Sequence, residues 1–436
     1  MSRYWELHRD KQAFFTMVIN CSAAAGLFNQ KKRIIAAGII GNVIEYYDFA
    51  LIGFLAVMMG KLFFPSDDPF LSLLGSFGAF AAGMIMRPVG AAVFGHIGDR
   101  IGRRYALMAS LVLMALPTFL IGFLPTYAQI GIMAPVLLVL LRMIQGLSVG
   151  GEYASSIVYL VEQSSPNRQN LYGSFVSIGA KIGMALGSAL CGGLLWYLGE
   201  DAMGEWGWRI PFILSIAIAA AGLYLRRNLT DDYEPNTDKT IPIVAIFKDH
   251  KKIFGQFLLV ASVIWMLYYT LFIYLPIWLE TSAGLSKSQA GNINTLSIIL
   301  GVIFIPLMAM VADKYGSIRV MRTASFFTAI TIYPLMYAMI HGGFYGALAA
   351  TSGMVLLLCA YQAPIFSAVV HALEYHGYRA SFTALILGSA AGLVGGTTPA
   401  LMTSLVEFSG NVYAPAYLIM ITSLIALDTL GRIKTH

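Results

Sequence analysis

The sequence predicts an all-α integral membrane protein of twelve helices arranged as two six-helix halves. Three observations predict it. Hydrophobic residues fill 58% of the 436 positions and charged ones only 11%, with a mean hydropathy of +0.72, too few charges to cover a soluble globule of this length. Apolar runs of the roughly 17 to 25 residues that cross hydrocarbon recur along the whole chain. A polar loop signature after the second run returns in the same orientation after the eighth.

Taken in order, residues 1–33 carry Arg3, Glu6, Arg9, Asp10 and Lys11 ahead of a weakly apolar stretch from Ala13 to Phe28. That stretch is short for a span. The acidic residues before it argue against a signal peptide, despite the small Ala23-Ala24-Ala25, so the segment reads as a cytoplasmic tail or interfacial segment. Spans follow at 34–59, 70–94, 105–125, 132–161, 171–198 and 210–227, forming the first half, 34–227. The most polar connection, 228–252, holds Asp231, Asp232, Glu234, Pro235 and Asn236 and reads as a cytoplasmic linker. The second half, 253–430, has spans at 253–279, 290–311, 320–340, 344–370, 380–406 and 412–430, before a tail at 431–436. Asp99-Arg100-Ile101-Gly102 after span two is matched by Asp313-Lys314-Tyr315-Gly316 after span eight. Parallel repeats of this kind are a transporter architecture, with substrate held near midplane between the halves.

Lysine and arginine fix the expected orientation, because short cytoplasmic loops accumulate them. With the N-terminus inside, 22 of the 28 fall in inner segments, so both termini are expected in the cytoplasm. The net charge of +6 forms no basic stripe on a polar surface, which excludes a nucleic-acid partner. Cys21, Cys191 and Cys359 are far apart and form neither a disulfide framework nor a metal site. No cofactor is expected.

Charges inside the spans single out the first half. Glu45 and Asp48 lie near the centre of span one, Arg87 toward the inner side of span two, Arg142 and Glu152 on opposite sides of midplane in span four, and Lys181 in span five. Six isolated charges at midplane would cost on the order of 15 to 20 kcal/mol. They must be paired, neutralised or hydrated. Buried ion pairs seldom add net stability over apolar packing, so their presence points to function. Glu45 and Asp48 share a helix face, where two carboxylates do not easily both ionise, and one is expected to hold a proton near neutral pH. Lys181 is read as a partner of Glu152 or as a seat for an anionic group of the substrate. The second half offers a neutral polar lining: Tyr268, Tyr269, Tyr274, Gln362, Thr397 and Thr398. Glycines and Pro399 in span eleven predict close packing or a broken helix lining a cavity.

Gly95-His96-Ile97-Gly98-Asp99-Arg100-Ile101-Gly102-Arg103-Arg104 resembles the loop pattern of the major facilitator superfamily. Within it, Gly41-Asn42 through Glu45-Tyr46-Tyr47-Asp48-Phe49, Met86-Arg87-Pro88, Gln145-Gly146 through Gly150-Gly151-Glu152-Tyr153, and Trp206 through Phe212 resemble the metabolite:proton symporters. That subfamily includes carriers of proline and betaine, 2-oxoglutarate, citrate and shikimate. The resemblance implies a twelve-helix major facilitator fold. By analogy with sugar:proton symporters it makes Glu45, Asp48 and Arg142 the proton-coupling set. It marks Arg87 and Arg209 as candidates for the substrate site, although Arg209, following Trp206 and Trp208, also reads as an interfacial arginine. Glu152, Lys181, Tyr268 and Gln362 are added as substrate-site candidates from the buried charges and polar lining, since the subfamily pattern does not require a lysine in helix five. It makes Gly95, Asp99, Arg100, Gly102 and Arg103, with Glu162 as partner of Arg103 or Arg104, a gating loop that locks the outward-facing state. The copy at Asp313 has Met308 or Ala309 where a glycine would stand, and a locking role for it is not expected.

The function expected is proton-coupled uptake of a small polar or carboxylate-bearing metabolite by a monomeric, multi-pass protein of a bacterial inner membrane. Its partners are that small molecule, protons and the lipid bilayer. The betaine carriers often add a long C-terminal coiled coil, and a chain ending at His436 weakens an osmosensory role. An exporter or exchanger is the alternative within transport. A membrane receptor or a membrane-embedded enzyme is the alternative outside it, but His341, His371 and His376 sit near span ends, away from the acids, and no catalytic residue stands out.

Overall fold

The computed structural model describes residues 34–227, 241–373 and 376–433. The predicted tail at 1–33 and residues 228–240 of the predicted linker lie outside the described residues. Among the described residues, twelve helices are long and apolar enough to cross a membrane. In the first half these are α1 (Ile34–Phe63), α2 (Leu74–Arg100), α3 (Arg103–Ile121), α4 (Met133–Glu162), α5 (Pro166–Gly207) and α6 (Arg209–Arg226). The second half supplies α7 (Lys251–Thr281), α8 (Ser288–Tyr315), α9 (Ser317–His341), α10 (Gly343–Val370), α11 (Arg379–Ser409) and α12 (Ala414–Arg432). A short helix, Pro242–Asp249, occupies the described part of the segment read as linker. Its proline at the helix start is preset for the first turn and sacrifices no hydrogen bond there.

Several helices run past the apolar limits. The Gly95–Arg100 signature is the last turn and a half of α2 rather than a loop, and the turn itself is confined to Ile101 and Gly102. Gly102 has φ 133°, a region that only glycine enters freely. The end of α2, the starts of α3 and α5, the end of α4, the end of α8 and the start of α11 share one face of the bundle, here termed the basic face, where Arg100, Arg103 and Arg104 cluster.

Local sequence places the buried charges. Helix α2 is interrupted at Met86, and a fresh helical stretch starts at Arg87-Pro88. Proline at the second helical position leaves no hydrogen bond unmade, so the break sets Arg87 in the interior. Glycines then bring α2 and α4 into backbone contact. A Cβ on Gly90 would lie 1.8 Å from the Leu147 carbonyl oxygen, one on Gly146 1.9 Å from that of Gly83, and one on Gly150 2.0 Å from that of Arg87. Such close approach is how membrane helices gain packing where lipid supplies no hydrophobic drive. Gly183 and Gly187 of α5 do the same against Val43 and Tyr47 of α1, fixing the segment that carries Glu45. In the second half, wide π-type turns interrupt α7 at Thr270–Tyr274 and α11 at Ala390–Gly395. The break in α11 agrees with its glycine content; nothing in the residues of α7 signalled the other.

Candidate functional site: buried ion pairs, an aromatic wall and a two-part latch

Among the described residues, three buried ion pairs lie in the first half away from the basic face. Arg142 Nη1 meets Asp48 Oδ2 at 2.7 Å, and the other Asp48 oxygen accepts from Gln145 Nε2 at 3.1 Å and Thr118 Oγ1 at 3.4 Å. Gln145 in turn accepts from Arg142 at 2.9 Å. Asp48 thus has a partner for each oxygen, and the guanidinium reaching it is steered by a second side chain. Arg87 meets Glu45 through one contact, at 3.3 Å. This pair is looser: Glu45 Oε2 and Arg87 Nε are buried without a hydrogen-bond partner among the described residues, as is the whole Asn42 amide one turn before Glu45. Leaving such groups unsatisfied costs about 1 to 3 kcal/mol each, so this is where a proton, water or polar substrate is in demand. A cavity of about 20 Å³ lined by Asp48, Arg87, Arg142 and Gln145 joins the two pairs, room for one water.

The third pair corrects the expected cluster. Glu152 meets Arg226 rather than Lys181: Arg226 Nη1 lies 3.1 Å from Glu152 Oε2 and Nη2 binds the other oxygen. Ser110 and Ser156 also donate to this carboxylate, and Arg226 donates to the carbonyls of Ala37 and Leu107. Both side chains are fully buried. Four donors thus meet the two oxygens of Glu152 in this arrangement. Arg226 escaped sequence reasoning because it ends a span beside Arg227, where a loop cation is the ordinary reading. Gly41 was the available signal, since a Cβ there would lie 1.8 Å from Glu152 Oε1 and 2.6 Å from Arg226 Nη2.

Lys181 stands apart from all three pairs. Its ammonium is 5.8 Å from the ring centre of Phe272 on α7, and its stem runs past Gly301 of α8. Phe272 belongs to an aromatic wall: Tyr268 lies 4.9 Å from it, Trp265 5.5 Å from Tyr268, and Tyr153 of the first half 6.0 Å from Trp265. On the other side Tyr46 packs edge-on to Phe49, and Arg87 sits 6.0 Å from the Phe49 ring. Tyr268 lies in the middle of this wall, between Trp265 and Phe272. Gln362 is buried on α10, and no described hydrogen bond joins it to the charged pairs. Arg209 is not brought to the centre; it donates to the carbonyls of Gly122 and Leu124 at 3.0 and 2.8 Å and stacks on Trp208, tying down the end of α3.

At the basic face the halves are joined twice. Asp99 accepts from the backbone N–H groups of Ala380 and Ser381 at 3.0 and 2.8 Å, the first turn of α11, where a carboxylate meets the positive end of the helix. Arg103 clasps Asp99 at 2.8 Å and Glu162 at 3.1 Å, so Glu162 serves Arg103; Arg104 instead reaches the Arg227 carbonyl. Gly95 and Gly98 allow the approach, since a Cβ on Gly95 would lie 2.6 Å from the Ser381 Cα. Arg100 is half-buried at the end of the same helix. The Asp313 copy, from which no locking was expected, makes the mirror contact: it accepts from the N–H groups of Asn170 and Leu171 at 2.8 and 3.1 Å, at the start of α5. Capping needs a carboxylate and a helix start, not the full signature. Each of these helix-start contacts is worth about 1 to 2 kcal/mol. Replacing either aspartate with asparagine is expected to shift the population toward an open basic face about tenfold, read as a longer spin-label distance between Ser164 and Arg319. An unchanged distance in Asp313→Asn would mean that the second contact locks nothing.

The profile described as Major Facilitator Superfamily matches residues 38–291. The glycine betaine/proline/ectoine/pipecolic acid transporter OusA of Dickeya dadantii is 30% identical over 418 residues, covering 91% of this chain and 82% of that protein. The inner membrane metabolite transport protein YhjE of Escherichia coli is 35% identical over 303 residues, 66% of this chain and 68% of that protein. Among solved structures, the proton:xylose symporter XylE bound to 6-bromo-6-deoxy-D-glucose superposes with a TM-score of 0.73 at 16% identity, over 92% of this chain and 94% of that one.

Proposed function

Because the chain belongs to the major facilitator superfamily of membrane transporters, we propose that it takes up a small carboxylate-bearing metabolite together with protons, by alternating access. The observation that carries this reading is the Asp48–Arg142 pair, buried at the centre of the bundle, braced by Gln145 and Thr118, and joined through a one-water cavity to the looser Glu45–Arg87 pair. A buried carboxylate can exchange an arginine for a proton only if both states are accommodated. Protonated Asp48 keeps its contacts to Gln145 and Thr118, while the freed Arg142 retains Gln145 and the Phe212 ring 5.9 Å away. The proton therefore acts as a ligand that favours one arrangement of α1 against α4, and a carrier's two conformations differ by such differential contacts.

In this scheme the basic face is cytoplasmic, both termini lie on that side, and the membrane is a bacterial inner membrane. Residues 34–227 and 253–430 rock as units, and the latches at Asp99 and Asp313 hold the cytoplasmic side shut while the opposite side admits substrate. Substrate meets the unsatisfied Glu45 and Arg87 atoms against the aromatic wall with its uncharged polar groups. The relatives named as proline and betaine carriers support a small polar cargo. In proteoliposomes containing the full chain, a pH gradient acid outside is expected to drive uptake of a radiolabelled carboxylate above equilibrium. A sodium gradient at uniform pH is expected to drive none, and the opposite pattern would refute proton coupling.

A further inference from the structure

Resting on that reading, we infer that the substrate carries net negative charge and that Lys181 is the residue that selects it, seating a carboxylate at the seam between the halves. The inference comes from a count that the Arg226 contact changes. Three acids and three bases balance across the spans of the first half if Arg226 is taken as a loop residue. Arg226 is instead consumed by Glu152, Arg142 by Asp48 and Arg87 by Glu45. Among the described residues at the interior of the first-half spans, each of these carboxylates has its own arginine, and Lys181 is left without an acid.

The surroundings of Lys181 provide no counter-ion. It has no hydrogen bond or ion pair among the described residues. Gly301 of α8 forms a notch for its stem: a Cβ there would lie 3.1 Å from Lys181 Cε, 3.6 Å from Nζ and 3.9 Å from Val355 of α10. Cys359, also on α10, contacts the Gly301 carbonyl, and Phe272 of α7 offers only the face of a ring. The two acids on these helices, Glu280 of α7 and Asp313 of α8, lie near helix ends, and Asp313 is taken up by the N–H groups of Asn170 and Leu171. A buried or half-buried cation in such a setting is costly unless an anion accompanies it. The lysine is borne by the first half and its pocket by the second, so a carboxylate bound there neutralises the seam as the halves close around it. A zwitterion of zero net charge would leave the seam carrying one positive charge. One proton carried with a monoanion makes the cycle electroneutral.

The test uses the purified full chain and the melting temperature as readout, with shikimate, 2-oxoglutarate and citrate as anionic probes and proline and glycine betaine as neutral zwitterions. At least one anion is expected to stabilise the protein and neither zwitterion to do so. Lys181→Met is expected to weaken that anion about 10- to 100-fold, the loss of one charge-assisted contact, and Lys181→Arg to recover most of it. Gly301→Val keeps the charge but fills the notch, and is expected to weaken the same anion, which guards against a Lys181→Met chain that fails to fold. Stabilisation by a zwitterion, no response to any anion, or an anion response untouched by Lys181→Met and Gly301→Val overturns the inference. The two readings fail separately. Zwitterion uptake driven by a pH gradient would end the charge inference and leave proton coupling standing, whereas anion binding through Lys181 without pH-driven uptake would do the reverse.

Discussion

Asp48→Asn is expected to lower pH-driven accumulation by about 100-fold or more, while exchange of labelled for unlabelled substrate continues. Asparagine is nearly the same shape and still accepts from Gln145 and Thr118, so the scaffold around α1 and α4 is kept. What it loses is the ability to ionise. Arg142 is then never released by a proton because it is never held by a charge, and the step that links protonation to conformation is missing. Exchange needs only the substrate-loaded carrier to move, and that step does not require the proton to leave. Some stability is lost as well, because Arg142 is left buried without a counter-charge. Removing one member of a buried pair costs about 3 to 5 kcal/mol, reduced here by its remaining contacts to Gln145 and Phe212. Uptake against a gradient in Asp48→Asn at the wild-type rate would eliminate Asp48 as the coupling group.

Arg226→Met has its largest effect on folding rather than transport. It leaves Glu152 fully buried beside Ser110 and Ser156 with its charge unopposed, at a cost of about 3 to 5 kcal/mol, a large part of the stability of a typical domain. Adding Glu152→Leu to it removes the stranded charge, and the double variant is expected to regain most of the lost melting temperature. The recovery distinguishes a pair that matters because it is buried from one that matters for transport. Arg226→Met melting within a degree or two of wild type would show the contact to be dispensable.

The fold and the site were legible to different degrees, for physical reasons. Spans and repeat were readable because lipid imposes a length and a polarity on every crossing helix, and the twelve runs differ from the observed helices mainly at their ends. Asp48 and Arg142 were readable because an ionisable residue at midplane has no innocent explanation in hydrocarbon. Arg226 was not, since an arginine closing a span obeys the rule for loops and only its three-dimensional partner shows otherwise. Pairing was the weak point throughout. Glu152 and Lys181 have opposite charge and comparable depth, which made them plausible partners, yet helix rotation turns one toward α3 and α6 and the other toward α7, α8 and α10. Rotation about a helix axis is set by close contacts such as Gly41 against Glu152 and Gly183 against Val43, whose partners no single sequence reveals. The contact of Asp313 was illegible for the opposite reason: its sequence signature is incomplete, but the first turn of α5 supplies the N–H groups it accepts from.

The central claim is that substrate and proton cross together through the Asp48–Arg142 pair. Its most direct measurement is the external pH of a weakly buffered suspension of proteoliposomes, with no gradient imposed, when substrate is added outside. The account predicts alkalinisation that tracks substrate entry in wild type and is absent in Asp48→Asn. Substrate entry without any proton movement, or equal alkalinisation in the two proteins, would contradict it.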